Sequence, residues 1–243
     1  MKCQAFPNED ALAAALGRII TDTIRRLPGI VLGLPTGRTP LGLYAELVRL
    51  TELDQSDWFD VRTFNLDEFV GLAAHEPGSY RAFMQERLFR HVNIRPEHIG
   101  FLDGTALDLA AECERYDRAI AAAGGIDLLV LGIGANGHIG FNEPAEALVA
   151  PTHLVTLDTP TRAANALWFA GDVSRVPRKA LTMGMATILA ARAIVLIATG
   201  EAKADAVRAM LYGGVTTAVP ASFLQLHPQV SVMLDQSLAD QLS

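Results

Sequence analysis

Ile126 to Pro144, IDLLVLGIGANGHIGFNEP, runs from a buried strand through a glycine turn into a cluster of polar, proton-handling side chains. Its first half, Leu128 to Leu131, is an uninterrupted apolar run of strand length, the pattern of a central parallel strand covered on both faces. Gly132, Gly134 and Gly137 end that run, and without Cβ atoms they permit positive φ and close approach of a ligand to the backbone. Whatever follows lies at the carboxyl end of the strand, where open α/β sheets bind their ligands. His138, Asn142 and Glu143 stand there. The spacing Gly132-x-Gly134-x-x-Gly137, with Asp158 about twenty residues further on, is formally a dinucleotide fingerprint. Two residues oppose that reading. Pro144 would interrupt the required helix within its second turn, and Glu143 would turn a carboxylate toward the pyrophosphate.

Outward from this stretch, strands and helices alternate. Met1 to Phe6 reads as a short strand and Asp10 to Arg26 as an amphipathic helix. Ile30 to Leu34 is a buried strand, followed by Pro35-Thr36-Gly37-Arg38-Thr39-Pro40 and a helix whose first turn tolerates Pro40. The loop lacks the Gly-Lys-Ser/Thr ending of a P-loop, which argues against a nucleoside triphosphate. Its backbone N–H groups, two threonine hydroxyls and a helix N-terminus could still converge on one phosphate. The plain alternative is a connecting loop with Thr39 as N-cap. Val61 to Asn65, a further strand, leads into Asp67 and Glu68. Consecutive side chains diverge in an extended segment, so one carboxylate is expected to face inward; the pattern does not say which, and either could cap the next element.

Ser79 to His91 and Leu107 to Ala123 read as helices, with a short strand at Ile99 to Leu102 between them. Beyond the central motif come strands near Leu154 to Leu157, Ala180 to Met183 and Ala193 to Thr199, a polar segment from Asp158 to Arg178, and a last strand, Gln229 to Leu234, expected to close the sheet. The predicted helix Glu201 to Tyr212 carries Lys203 in its first turn, an unusual place for a cation unless an anion lies beyond the end. No repeat or linker divides residues 1–243, so one α/β domain is expected.

Half of the 243 residues are apolar and 19% are charged, the balance of a soluble globular chain with ample core. A net charge of −7 without a basic cluster argues against nucleic acid and anionic membrane as partners. Cys3 and Cys113 make no disulfide framework, MKCQAFPNED has no apolar signal core, and no apolar segment spans a bilayer; a cytoplasmic protein is expected.

Six segments taken together, LGLPTGRTPLGLY (32 to 44), FNLDEFVGL (64 to 72), SYRAFM (79 to 84), LGIGANGHIGFNEP (131 to 144), TRAAN (161 to 165) and LQLHP (224 to 228), resemble in order and spacing the glucosamine-6-phosphate deaminases, relatives of the 6-phosphogluconolactonases. The resemblance implies a Rossmann-like doubly wound, mostly parallel sheet with helices on both faces. It implies an enzyme of amino sugar metabolism converting glucosamine 6-phosphate and water to fructose 6-phosphate and ammonia, with no cofactor and no metal. Asp67 would be the base that moves a proton from C2 to C1, His138 the ring-opening acid-base, and Glu143 its carboxylate partner. Lys203 matches the family's phosphate lysine, and the loop residues Thr36, Gly37 and Thr39 are expected to add neutral hydrogen bonds to the phosphate.

The departures matter. Asn136 stands where many members have an aspartate, so Glu143 would be the sole anionic partner of His138. Leu167 stands where the family commonly has a phosphate-gripping arginine, whereas Arg38 replaces a small residue in the PTGRTP loop and could supply the lost cation. Segment 146–155 lacks the serine pair and basic residues of allosteric hexameric members, so a monomer or weak homo-oligomer is expected. Three alternatives remain: a galactosamine-6-phosphate deaminase/isomerase, a 6-phosphogluconolactonase-like hydrolase, and a non-enzymatic sugar-phosphate sensor.

Overall fold

Alternate residues of the buried strands face opposite helical layers, and this period of two divides the core into two halves. The computed structural model describes residues 1–53 and 56–242. The chain runs β1 (Lys2–Phe6), α1 (Glu9–Arg26), β2 (Val31–Leu34), α2 (Leu41–Glu52), β3 (Arg62–Asn65), β4 (Asp67–Phe69), α3 (Tyr80–Arg87), β5 (Ile99–Gly100), α4 (Leu109–Ala122), β6 (Leu128–Leu131), β7 (His153–Thr156), α5 (Thr159–Asn165), β8 (Lys179–Thr182), α6 (Met185–Leu189), β9 (Ala193–Ala198), α7 (Ala204–Tyr212), β10 (Val230–Asp235) and α8 (Gln236–Asp240). On one face Leu32, Leu34, Leu128, Val130, Val195 and Ile197 pack with α1, α2 and α3. On the other, Val31, Leu129, Leu131, Ile194 and Leu196 pack with α4, α6, α7 and α8.

α1 shows how local signals set an element. Asn8 caps it, accepting from Ala11 N at 2.8 Å, acidic Glu9 and Asp10 begin it, and Arg25 and Arg26 end it, as the helix dipole favours. Leu12, Leu16, Ile20 and Ile24 form its buried stripe.

Seven strands form a parallel sheet in the order β1-β10-β9-β6-β2-β3-β5. From β2 the chain builds outward to β3 and β5, while from β6 it builds the other way. The reversal therefore falls between β2 and β6, paired Leu32 to Leu128, and their carboxyl-end loops, 35–40 and 132–143, flank the crevice that such a reversal opens.

The structure corrects three expectations. β7 and β8 do not join the parallel sheet; they pair antiparallel with each other and with β4 in a separate three-stranded sheet. The burial of β7 alternates between half-buried and exposed, whereas a central parallel strand is covered on both faces. β10 does not close the sheet but lies between β9 and β1, leaving β1 as the edge. The helix expected from Glu201 opens instead with a 3₁₀ turn, Glu201–Lys203, so that Lys203 stands at the N-cap of α7.

Candidate active site

The loop after β2, the strand after β3, the loop after β6 and the turn after β9 supply the polar groups of the crevice. Asp67 is the first residue of β4, opposite Thr182 of β8. It is 7% exposed, its Oδ1 has no hydrogen-bond partner among the described residues, and its Oδ2 would lie 3.8 Å from a Cβ placed on Gly140. Burial pushes its carboxyl up to about 8; the neighbouring Glu68 charge adds to the shift, and a hydrogen bond from Thr36 partly offsets it.

Glu68 points the other way and is consumed by structure. Its Oε1 accepts from Phe69 N at 2.8 Å and Tyr80 N at 2.9 Å, and its Oε2 from Arg81 N at 2.9 Å and Ser79 Oγ at 2.8 Å. It thus caps the start of α3. Burial still raises its carboxyl, against these four donors. The inward carboxylate is Asp67.

His138 and Glu143 sit on one tight loop. Gly134 N donates to His138 O and Gly137 N to Gly134 O, with Gly137 at φ +87°. A Cβ on Gly134 would fall 2.3 Å from the imidazole, so only glycine leaves room for the ring. His138 Nδ1 lies 3.2 Å from Glu143 Oε2, which also accepts from Asn136 Nδ2 at 2.7 Å, while Asn136 Oδ1 accepts from His138 N at 3.2 Å. Glu143 Oε1 accepts from Thr161 Oγ1. Burial alone would raise Glu143; the hydrogen bond and charge of His138, with Thr161 and Asn136, outweigh it and hold the carboxyl at about 2. Asn136, His138 and Glu143 are therefore one hydrogen-bonded group.

The PTGRTP loop spans the other side. Thr36 reaches Asp67, and Thr39 Oγ1 accepts from Lys203 Nζ at 3.1 Å. Thr39 is not an N-cap, because α2 starts from Pro40 without a side-chain cap. Gly37 has φ +105°, the left-handed region where a side chain would be strained. Burial and then the charge of Arg38 lower the Lys203 ammonium, against the opposite pull of Glu9 and Asp235. Arg38 is exposed, and no ion pair to either cation is found among the described residues. Three residues of chain reach about 10 Å at most, so one short loop touches both the buried carboxylate and the cations. Leu167, in the 3₁₀ turn Ala166–Phe169, is 55% exposed.

Four contributors were not singled out from the sequence. Tyr80 stacks on Phe141 with ring centroids 6.0 Å apart, and its hydroxyl donates to Asn165 Oδ1 at 2.8 Å. Thr161 holds Glu143, and Thr182 Oγ1 accepts from Phe141 N at 3.1 Å. SYRAFM and TRAAN contained three of them, but a polar residue inside a short motif gives no sign of which way it points. No cluster of three or more His, Cys, Asp or Glu placed to hold a metal occurs among the described residues.

A proton-handling site at the switch point of a parallel sheet defines an α/β enzyme acting on a small molecule. Residues 7–233 match the family model of glucosamine-6-phosphate isomerases/6-phosphogluconolactonase, and the chain belongs to that family. It is 44% identical over 239 residues to a glucosamine-6-phosphate deaminase of Thermoanaerobacter pseudethanolicus, covering 98% of this chain and 94% of that protein. Glucosamine-6-phosphate deaminase 1 of Bacillus subtilis is also 44% identical, with coverage of 98% and 97%. A solved monomeric glucosamine-6-phosphate deaminase, described as a missing link of the NagB superfamily, superposes with a TM-score of 0.96 at 43% identity over the whole of both chains. The 6-phosphogluconolactonase of Trypanosoma brucei, at 21% identity and a TM-score of 0.76 over 100% of this chain and 98% of that one, shares the fold.

Proposed function

We propose that the protein is a glucosamine-6-phosphate deaminase, converting glucosamine 6-phosphate and water to fructose 6-phosphate and ammonia. The observation that carries this reading is the presence of two distinct proton-handling groups at the carboxyl ends of the strands, a buried carboxylate and an imidazole–carboxylate pair. The reaction needs two such groups. Opening the hemiacetal ring moves a proton off the C1 hydroxyl and onto the ring oxygen, the task assigned to His138, with Glu143 fixing its tautomer and Asn136 orienting both. Isomerisation then moves the C2 proton to C1 and one amine proton to the C1 oxygen, converting the C2 amine to an imine that water hydrolyses to a ketone and ammonia. Asp67 is assigned that transfer. Its elevated pKa makes it a stronger base than a solvated aspartate, and a cationic amine beside it favours the ionised form.

Thr36, Gly37 and Thr39 line the phosphate end in this reading, and Lys203 and Arg38 are its cations. Two cations close enough to repel each other, neither in an ion pair among the described residues, support an anionic ligand. The 43–44% identity to named deaminases over nearly the full chain supports the substrate. A monomer is favoured by the likeness to a structure described as monomeric. Cytoplasmic placement is inferred from two free cysteines, Cys3 exposed and Cys113 buried. Ammonia release measured with glucosamine 6-phosphate, galactosamine 6-phosphate and 6-phosphogluconolactone tests the reading. The first should be turned over fastest; preference for the galacto sugar, or lactone hydrolysis without ammonia release, would reject it.

A further inference from the structure

Among the described residues, one short helix reaches both halves of the site. α5 spans Thr159–Asn165 and is capped by Asp158, whose Oδ1 accepts from Thr161 N at 2.7 Å. Thr161 is 4% exposed, and its hydroxyl donates to Glu143 Oε1, the oxygen that neither His138 nor Asn136 uses. One turn on, Asn165 Nδ2 donates to Thr161 O at 2.9 Å, and its Oδ1 accepts from the Tyr80 hydroxyl at 2.8 Å. Tyr80 in turn stands beside Asp67 and Thr36, and its ring is stacked on Phe141 between His138 and Glu143 in sequence. The helix is fastened on a neighbouring face as well, because Arg162 donates to Val173 O at 2.7 Å and to Val176 O at 2.9 Å. Residues four apart on a helix share a face, so Thr161 and Asn165 are presented together to the crevice.

We propose that Thr161 and Asn165 are positioning residues, Thr161 locking the Glu143 carboxylate against His138 and Asn165 locking Tyr80 beside Asp67, so that α5 sets the spacing between the two proton-handling groups. A carboxylate held on one oxygen by an imidazole and an amide can still rotate about its Cγ–Cδ bond. A donor on the second oxygen removes that freedom and leaves Oε2 facing the ring. The hydroxyl therefore acts on orientation, which is felt in the proton transfers more than in substrate binding. This inference rests on the deaminase reading, and one arm of its test does not.

The experiment uses the full chain. Thr161→Val keeps shape and removes the donor; Thr161→Ser restores it. In steady-state kinetics on glucosamine 6-phosphate, Thr161→Val should lower kcat by about 10- to 100-fold, the range expected for a hydrogen bond to a charged group, with KM changed less than about threefold. Thr161→Ser should recover kcat to within about threefold of wild type. Because both residues act through one helix, Thr161→Val with Asn165→Ala should lose less than the product of the single losses. The arm that needs no turnover is proton NMR of the imidazole: the His138 Nδ1 proton should give a downfield signal in the wild type and in Thr161→Ser, and lose it in Thr161→Val. Undiminished kcat in Thr161→Val, equal loss in Thr161→Ser, strictly multiplicative losses, or an unchanged imidazole signal would each overturn the proposal. Absence of ammonia release by the wild type would reject the deaminase reading instead, leaving the imidazole signal to judge α5.

Discussion

Asp67 is costly to the fold for the same reason that it is a strong base. Asp67→Asn removes the proposed proton acceptor, so kcat should fall by roughly two to four powers of ten while a substrate analogue still binds, measured by calorimetry. In the wild type, kcat/KM should decline as pH falls below about 8, where the free enzyme's carboxyl takes up its proton. Stability should run the opposite way. The folded pKa lies above the unfolded value of 3.8, so Asp67's contribution is fully present below pH ~4 and is lost as pH rises through about 8. Asn cannot ionise; Asp67→Asn should therefore be more stable than wild type at pH 9, by an amount on the order of several kcal/mol at ~1.4 kcal/mol per pKa unit, and match it near pH 4. Thermal scans at the two pH values check this. Arg38, at the other end of the crevice, should matter for binding alone. Arg38→Ala should raise KM for the phosphorylated sugar by about one to two powers of ten, and unphosphorylated glucosamine should respond little. An unchanged KM would remove Arg38 from the phosphate site.

α3 depends on a residue that precedes it by a dozen positions. Glu68→Gln keeps the acceptor on one side only and loses the charge that four donors address, so it should destabilise the fold by about 1–3 kcal/mol in urea denaturation and change kcat far less than Asp67→Asn does. Equal loss of activity in both variants would mean that the inward carboxylate is misassigned. The sequence could state that one of the pair faced inward, because alternation is a local rule, but the choice between them depends on where Ser79 and Tyr80 come to rest. The strands β2, β6 and β9 were legible for a related reason, each being an apolar run ended by Gly, Pro or a polar group. β4 is three residues, DEF, with no run to find. β7 and β8 were visible as strands, but their antiparallel pairing with β4 is a non-local fact that no window contains. α5 lay within a stretch read only as polar, since seven residues carry too little apolar periodicity to announce a helix.

Across the molecule, segment 145–152 is held by its own chain. Ala145 N donates to Thr217 O, Met185 N to Val149 O and Ala186 N to Ala150 O, and a Cβ on Gly184 would strike Pro151 O. With that segment tied down and its basic residues absent, the rate curve on glucosamine 6-phosphate should be hyperbolic, and N-acetylglucosamine 6-phosphate should leave its shape unchanged. A sigmoidal curve made hyperbolic by that sugar would contradict the monomeric, non-allosteric reading. The strand order has a consequence for how the chain is made. β1 pairs with β10 alone, Lys2 beside Ser231 and Phe6 beside Asp235. As the polypeptide leaves the ribosome, its first strand has no partner until the last one has been translated, and β10 itself docks on β9. The β2–β3 pair and its neighbours can assemble during synthesis, but β1 can take its place in the sheet only once β10, ending at residue 235, is available to pair with it.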